Sequence, residues 1–473
     1  MRKIVLSALA AMMALAVSAQ ERRELHILSA NDIHAAIENM PRLGYVADSL
    51  RALYPDLLIL SGGDNRSGDP VNDMFEIPAY PMVALMNQIG FQATVVGNHE
   101  FDSNQDGLAR LIDLGAFATL CANMEPDAKW NMHVKPYKYF DCGGIKVGVL
   151  GITALGSLGT PESHPTRVSE IKFMDPLETI KKYEFMRKEC DVMLLLSHLG
   201  YETDVKFSKE LPWIDIIVGG HSHTQLEGGE MHNGILITQN MKSLPYATHS
   251  TLVLEGNKIV EKKAEKIAIA GVKRENKVLQ ELVHYFSENP AFKRVLAVAE
   301  TPFSTREELG NMVVDAYRTE GKADVSFQNA GGVRMDYVPA GEMTVGDVLK
   351  MDPFQNALVE ANITGKELAE MLISCYEHDK HRFPFVSGFK CDVTFDPATN
   401  QIKKLVLLDE NGKKLNLKKT YRLVANSYAV AVSPTNRKDQ GRNLTMTSPE
   451  TIKNYLEHQG KVSYQGTSRV NIK

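Results

Sequence analysis

The chain reads as two unlike halves: an α/β layered domain, then an α+β domain, with a helix joining them. Three observations predict this. The 473 residues, 44% of them hydrophobic, exceed what one ordinary core organises. From Leu25 to Val218, short continuously apolar runs alternate with segments of helical spacing. Beyond Lys293 that alternation gives way to helices followed by a run of strands.

Leu25–Ser29 is a short apolar strand, and Leu43, Val46, Ala47, Leu50 and Leu53 then fall at helical spacing. Asp56–Leu60 is a buried strand ending in Ser61-Gly62-Gly63, and Pro81–Ile89 is a helix with proline in its first turn. Ala93–Val96 is a strand, Gly107–Leu114 a helix, Phe117–Leu120 a strand and Ile145–Ile152 another. Asp175 is expected to cap one long helix reaching about Lys188. Val192–Leu196 and Ile214–Val218 are two further buried strands, and such continuous apolar runs imply helices on both sheet faces. Thr251–Leu254 and Lys258–Glu261, joined at Gly256-Asn257, form a closing hairpin.

Residues 273–292 read as a charged connecting helix whose apolar side carries Val278, Leu279, Leu282, Val283, Tyr285 and Phe286. The second half has helices at Leu309–Glu320 and Gly365–Tyr376, strands at Phe389–Phe395, Lys403–Leu408 and Tyr421–Ala425, and a turn at Asn411-Gly412. The expected division is residues 1–19 as a signal peptide, 20–270 as the first domain, 271–292 as the linker helix and 293–473 as the second domain.

The signal peptide rests on a basic start at Arg2-Lys3, an apolar stretch from Ile4 to Val17, and the small residues Val17-Ser18-Ala19 before Gln20. That stretch is too short to span a bilayer, no later segment reads as transmembrane, and no cysteine offers a lipid anchor. A periplasmic or secreted protein without stable membrane insertion is expected. Loss of Arg2 and Lys3 leaves 51 basic against 58 acidic residues, a net charge of -7. With no basic stripe, a nucleic-acid polymer is excluded as partner on electrostatic grounds. The five cysteines contain no C-x-x-C pair; free buried thiols are the expectation, and Cys375 with Cys391 is the one pair placed to bridge.

Polar residues of one kind follow the strands. Asn31-Asp32-Ile33-His34 follows the first, Gly63-Asp64 the second and Gly97-Asn98-His99-Glu100-Phe101-Asp102 the third. Ser197-His198 and Gly219-Gly220-His221-Ser222-His223 follow two later strands. Ligands bind outside the carboxyl ends of strands in layered α/β sheets, so five such ends can bring seven side chains into one crevice. Imidazole and carboxylate suit zinc, manganese or iron. Four ligands satisfy one zinc, whereas seven with a shared carboxylate serve two metals. Each motif alone has a structural reading; it is their joint occurrence, in order, that points to chemistry.

This ordered set resembles the calcineurin-like metallophosphoesterases, and Asn98-His99-Glu100-Phe101-Asp102 resembles their 5′-nucleotidase / UDP-sugar hydrolase branch. Asn329-Ala330-Gly331-Gly332-Val333-Arg334 and Pro353-Phe354-Gln355-Asn356 resemble segments of that branch's C-terminal domain. The resemblance implies a four-layer α/β/β/α first domain and a second domain that supplies substrate specificity. It implies two divalent metals (zinc, manganese or mixed), one held by Asp32, His34 and His223, the other by Asn98, His198 and His221, with Asp64 bridging. It makes His99 the group that stabilises the transition state or protonates the leaving oxygen, and Asp102 the group that orients it. A hydroxide formed between the metals would attack phosphorus.

For substrate, Arg334 would hold phosphate or ribose oxygens, Asn329 and Asn356 would meet base or sugar, and Phe354 would stack on a base. Arg306 stands just before a helix, as an arginine does in the branch. The branch's second stacking aromatic is followed by Gly-Gly-Asp-Gly; here Tyr428 stands in Asn426-Ser427-Tyr428-Ala429-Val430-Ala431, without those glycines and aspartate. The expected activity is release of phosphate from nucleoside 5′-monophosphates, with nucleotide sugars as further substrates. The alternatives are a 2′,3′-cyclic nucleotide phosphodiesterase, a broad phosphomonoesterase or a thiosulfate-related hydrolase on the same scaffold and, from another class, a non-catalytic binding protein.

Overall fold

The computed structural model describes residues 22–379 and 381–473. The expected signal peptide, residues 1–19, lies outside them. Twelve strands build the two main sheets of the first domain: Arg22–Ala30 (β1), Leu58–Ser61 (β2), Ala93–Val95 (β3), Ala118–Leu120 (β4), Tyr137–Cys142 (β5), Ile145–Thr153 (β6), Val192–His198 (β7), Ile216–Val218 (β8), Glu230–His232 (β9), Ile235–Thr238 (β10), Tyr246–Glu255 (β11) and Lys258–Ala268 (β12). They form two six-stranded sheets, ordered β12-β11-β1-β2-β3-β4 and β9-β10-β8-β7-β6-β5. Strands β1 to β4 run parallel, as do β6, β7, β8 and β10, with antiparallel pairs at the sheet margins.

The apolar strands are buried on both faces, but not by helices on both. Leu25, Ile27, Leu58, Leu60 and Val95 of one sheet pack against Val147, Val149, Leu194, Leu196 and Ile216 of the other. Alternate residues point outward. Leu28 and Ile59 meet the helices Met40–Leu53 and Tyr80–Ile89. Ile152, Leu195 and Ile217 meet Ile180 and Phe207 of the opposite helical layer. Each sheet thus has a sheet on one side and helices on the other, the four-layer α/β/β/α order.

Two helix expectations change. The helix after Asp175 stops at Lys181, and Glu184–Lys188 is a separate 3₁₀ turn. Ile180 of the helix and Met186 of the 3₁₀ turn are both fully buried, so each piece is anchored in the core by its own residue. The connecting helix spans Lys277–Ser287 only, because Asn289 precedes Pro290 and is extended. It belongs to the first domain's packing: Leu279 and Phe286 enter the core beside Leu43 and Met86, whereas Val278 and Tyr285 face solvent. All five cysteines are free, so Cys375 and Cys391 do not bridge; both are buried small apolar groups of the second core.

That second core surrounds a five-stranded sheet ordered Phe385–Ser387, Val325–Gln328, Thr420–Asn426, Ala357–Thr364 and Arg442–Thr447. The helix Arg306–Glu320 covers one face through Leu309, Met312 and Val313. The helix Gly365–His378 covers the other through Leu368, Met371 and Leu372. Thr364 and Glu367 close a reciprocal capping box at the start of the latter.

Candidate active site

The carboxyl ends of β1, β2, β3, β7 and β8 open on one edge of the sandwich, where the loops hold one another. The Asp32, His34 and Ala35 amides donate to the carbonyls of Gly63, Asp64 and Asn65 at 2.9–3.0 Å. Glu100 is buried between the next two loops and accepts the amides of Asn65 (2.9 Å), Asp64 (3.0 Å) and Gly97 (2.7 Å). A Cβ on Gly97 would stand 2.3 Å from Asp64 Oδ1, so only glycine lets these loops meet.

Into this frame fall the seven side chains. Asp32, His34 and His223 present donor atoms within 4.8 Å of one another, as do Asp64, His198 and His221, and also His34, Asp64 and His99. Asn98 Oδ1 lies 3.3 Å from His198 Nε2 and 3.0 Å from His221 Nδ1. Asp64 Oδ2 is 3.3 Å from His198 Nε2 and 4.0 Å from His34 Nε2, a position between the two groups.

The donor chemistry fits cations. His34 Nδ1 faces the Ser67 carbonyl at 3.1 Å, and His198 Nδ1 faces the Gly62 carbonyl at 2.7 Å. With Nδ1–H donated there, each Nε2 keeps its lone pair for a metal. His34 Nε2 then stands 3.2 Å from His223 Nε2, and a shared proton or cation satisfies that pair. Burial pushes His34 well below the usual histidine range, with Arg334 and His99 adding to it. Burial acts the same way on His198, but the Asp64 carboxylate outweighs it and carries the group up to about 10. Asp64 is itself buried, yet His198 and His99 hold it well below the carboxylate range. Opposed shifts around one carboxylate mark a site whose protons a divalent cation would displace.

His99 Nδ1 is 2.8 Å from Asp102 Oδ2, and the His99 amide donates to Asp64 Oδ1 at 2.8 Å. Burial would raise the Asp102 carboxyl, but His99 and Arg167 hold it far below the usual range. The second domain closes the site. Phe354 stacks on the His99 ring at 5.8 Å with 19° between planes. Arg334 Nη2 lies 3.3 Å from each ring nitrogen of His34. Asn329, Arg334, Phe354, Asn356 and Tyr428 line one cleft with Asn98, His99 and Asp102.

Arg306 is the exception. It is not among the side chains around this cleft; it pairs with Asp336 at 2.6 Å, near enough to Arg334 to act on it electrostatically. Arg382 lines the cleft instead, paired with Asp379. Sequence reasoning assigned no role to Glu100, Glu162 or Arg167. Glu100 was visible inside the Asn98-His99-Glu100 run, whereas Arg167 sits in no motif. Glu162 Oε2 lies 3.8 Å from His221 Nε2 and its carbonyl accepts from Asn98.

Residues 25–225 match the calcineurin-like phosphoesterase family model, and residues 287–433 match the 5′-nucleotidase C-terminal domain. A 5′-nucleotidase of Vibrio vulnificus is 27% identical over 468 residues, covering 85% of this chain and 82% of its own. A 5′-nucleotidase of Vibrio cholerae is 27% identical over 517 residues, covering 93% and 91%. The crystal structure of a 5′-nucleotidase precursor from Thermus thermophilus superposes with a TM-score of 0.83 at 23% identity, covering 95% of this chain and 99% of that one. The chain therefore belongs to the calcineurin-like metallophosphoesterases, as a phosphoester hydrolase of the 5′-nucleotidase type with that type's C-terminal domain.

Proposed function

We propose that this protein is an exported enzyme that hydrolyses nucleoside 5′-monophosphates, with nucleotide sugars as further substrates, using two divalent metals. The observation that carries the reading is the convergence of three donor groups, the His99–Asp102 pair and a Phe354-lined cleft on one point between the domains. Asp32, His34 and His223 would hold one cation, Asn98, His198 and His221 the other, and Asp64 both. Bound there, the cations would supply an acidified water and neutralise charge on the phosphoryl group.

The chain's own groups do the rest. Asp102 keeps the His99 ring turned so that Nε2 faces the cleft, where it can donate to a phosphoryl or leaving oxygen. Arg334 brings a fixed positive charge beside His34 to grip substrate oxygens. Phe354, with its ring against His99, offers the flat face on which a base stacks, and Tyr428 stands across the same cleft. Export rests on the basic and apolar residues 2–19. Among the described residues no helix is long and apolar enough to cross a membrane.

The test is a substrate panel with Mn²⁺ or Zn²⁺: AMP, UDP-glucose, 2′,3′-cyclic AMP and p-nitrophenyl phosphate, reading free phosphate or nucleoside. AMP is expected to turn over best. Hydrolysis of p-nitrophenyl phosphate without AMP would replace the nucleotidase reading by a broad phosphomonoesterase. No turnover of any would leave a binding protein.

A further inference from the structure

One cation in the cleft is attached to both domains. Arg167 sits on the short helix Pro165–Val168, far in sequence from the metal motifs. Its Nη1 donates to Asp102 Oδ1 at 2.7 Å, and its Nη2 donates to the Phe354 carbonyl at 3.0 Å. Its side chain is largely buried, with 15% of its surface exposed. Asp102 uses its other oxygen for His99 Nδ1, and Ser67 Oγ also donates to that oxygen. One guanidinium therefore spans from the carboxylate that orients His99 to the backbone of the ring that stacks on His99.

We propose that Arg167 is a positioning residue that aligns the His99–Asp102 pair and the Phe354 ring with each other across the domain interface. The inference rests on the reading of His99 and Asp102 given above. The geometry supports it in two ways. A carboxylate held by one donor can rotate about its Cβ–Cγ bond; donors on both oxygens fix its plane, and with it the His99 ring. Phe354 has no backbone strand at its own position to hold it, since the next strand begins at Ala357. Its carbonyl's bond to Arg167 is thus a tether from the opposite domain. A planar guanidinium suits this role because it presents two donors at fixed spacing, whereas a lysine ammonium would reach one acceptor or the other.

The two attachments separate by substrate. Loss of the Asp102 contact lowers kcat for any phosphoester. Loss of the Phe354 contact raises KM only for substrates with a base. For Arg167→Gln, the expected result is a loss of about 10²-fold in kcat on both AMP and p-nitrophenyl phosphate, as misplacement by about 1 Å produces, and a further rise in KM for AMP alone. Arg167→Lys is expected to recover kcat on p-nitrophenyl phosphate but not KM for AMP. Combined with Asp102→Asn, Arg167→Gln is expected to add little to the kcat loss of Asp102→Asn, because it acts through that carboxylate. Thermal midpoint and metal content are read alongside.

Near-normal turnover of both substrates by Arg167→Gln would overturn the inference, provided His99→Gln is crippled. Multiplicative losses in the double variant would overturn it too, since they assign Arg167 a purely structural part. Loss of fold or metals in Arg167→Gln that Arg167→Lys does not restore is a third overturning result. Normal turnover by His99→Gln would instead overturn the underlying reading of the pair.

Discussion

The two walls of the cleft are built on different plans. On the first domain's wall, each chemical group is fixed by backbone: strand ends place it, neighbouring loops donate to it, and Glu100 ties three amides under it. On the second domain's wall, Phe354, Asn356 and Tyr428 stand on loops or at the edge of a short helix, and meet the first wall through ring faces and single hydrogen bonds. On the function proposed above, the difference teaches that the reacting groups would have little freedom, while recognition would fall to parts held by fewer bonds. Tyr428 illustrates this: its hydroxyl lies 3.3 Å from His378 Nε2, whose Nδ1 lies 3.1 Å from Ser157 Oγ of the first domain.

If the first wall is as rigid as this, single changes on it are catastrophic. Asp64→Ala is expected to reduce phosphate release to background and to lower bound metal, measured by elemental analysis of the purified protein. His99→Ala is expected to cost about 10²- to 10⁴-fold in kcat with metals retained, the range for lost general acid–base assistance. Metal loss in that variant would make His99 a ligand. Glu100→Gln touches no substrate, yet is expected to weaken metal affinity or activity roughly 10- to 100-fold through the loops it organises, read by metal titration.

Changes on the second wall should be milder and selective. Phe354→Ala removes a stacking face worth about 1–3 kcal/mol, so KM for AMP is expected to rise about 5- to 150-fold while p-nitrophenyl phosphate is nearly unaffected. An equal effect on both substrates would erase the distinction between the walls. The smallest effect is one of stability. Burial raises the Asp352 carboxyl from 3.8 to about 6, and this group accepts the Phe354 amide. Between those values the folded chain holds a proton that the unfolded chain has released, so stability falls as pH rises through that window. Asp352→Asn is expected to flatten this slope, shifting Tm by a few degrees at about pH 7.5, measured by thermal melts from about pH 4 upward.

The first wall was legible in sequence because metal chemistry restricts residue types and the sheet restricts their place: Asp32, Asp64, Asn98, His198 and His221 all stand at strand ends. The layering was less legible, since a strand buried by a second sheet and one buried by helices are equally apolar. Arg167 and the Asp336-paired Arg306 show where sequence reasoning stops. Their roles depend on which acceptor lies nearby in space, and neither Asp102, 65 residues away, nor Asp336, 30 away, is marked by spacing. Strands such as Val325–Gln328 and Ala357–Thr364 escaped because their runs are short and mix polar with apolar residues.

One feature of the rim reaches beyond catalysis. Asp32, His34, Asp64, His221 and His223 all adopt left-handed backbone, with φ between 47° and 79°. Non-glycine residues visit this region at a cost of order 1–3 kcal/mol each, aspartate and histidine more readily than most. Regular strand or helix cannot present these side chains to a common point, so the fold keeps its rim loops sprung and under load. Cations seated there would be clamps as well as reagents, and heat resistance would become a gauge of loading. A chelated sample would melt early and regain its midpoint in proportion to the logarithm of added metal, which lets a melting curve rank candidate metals before any substrate is found.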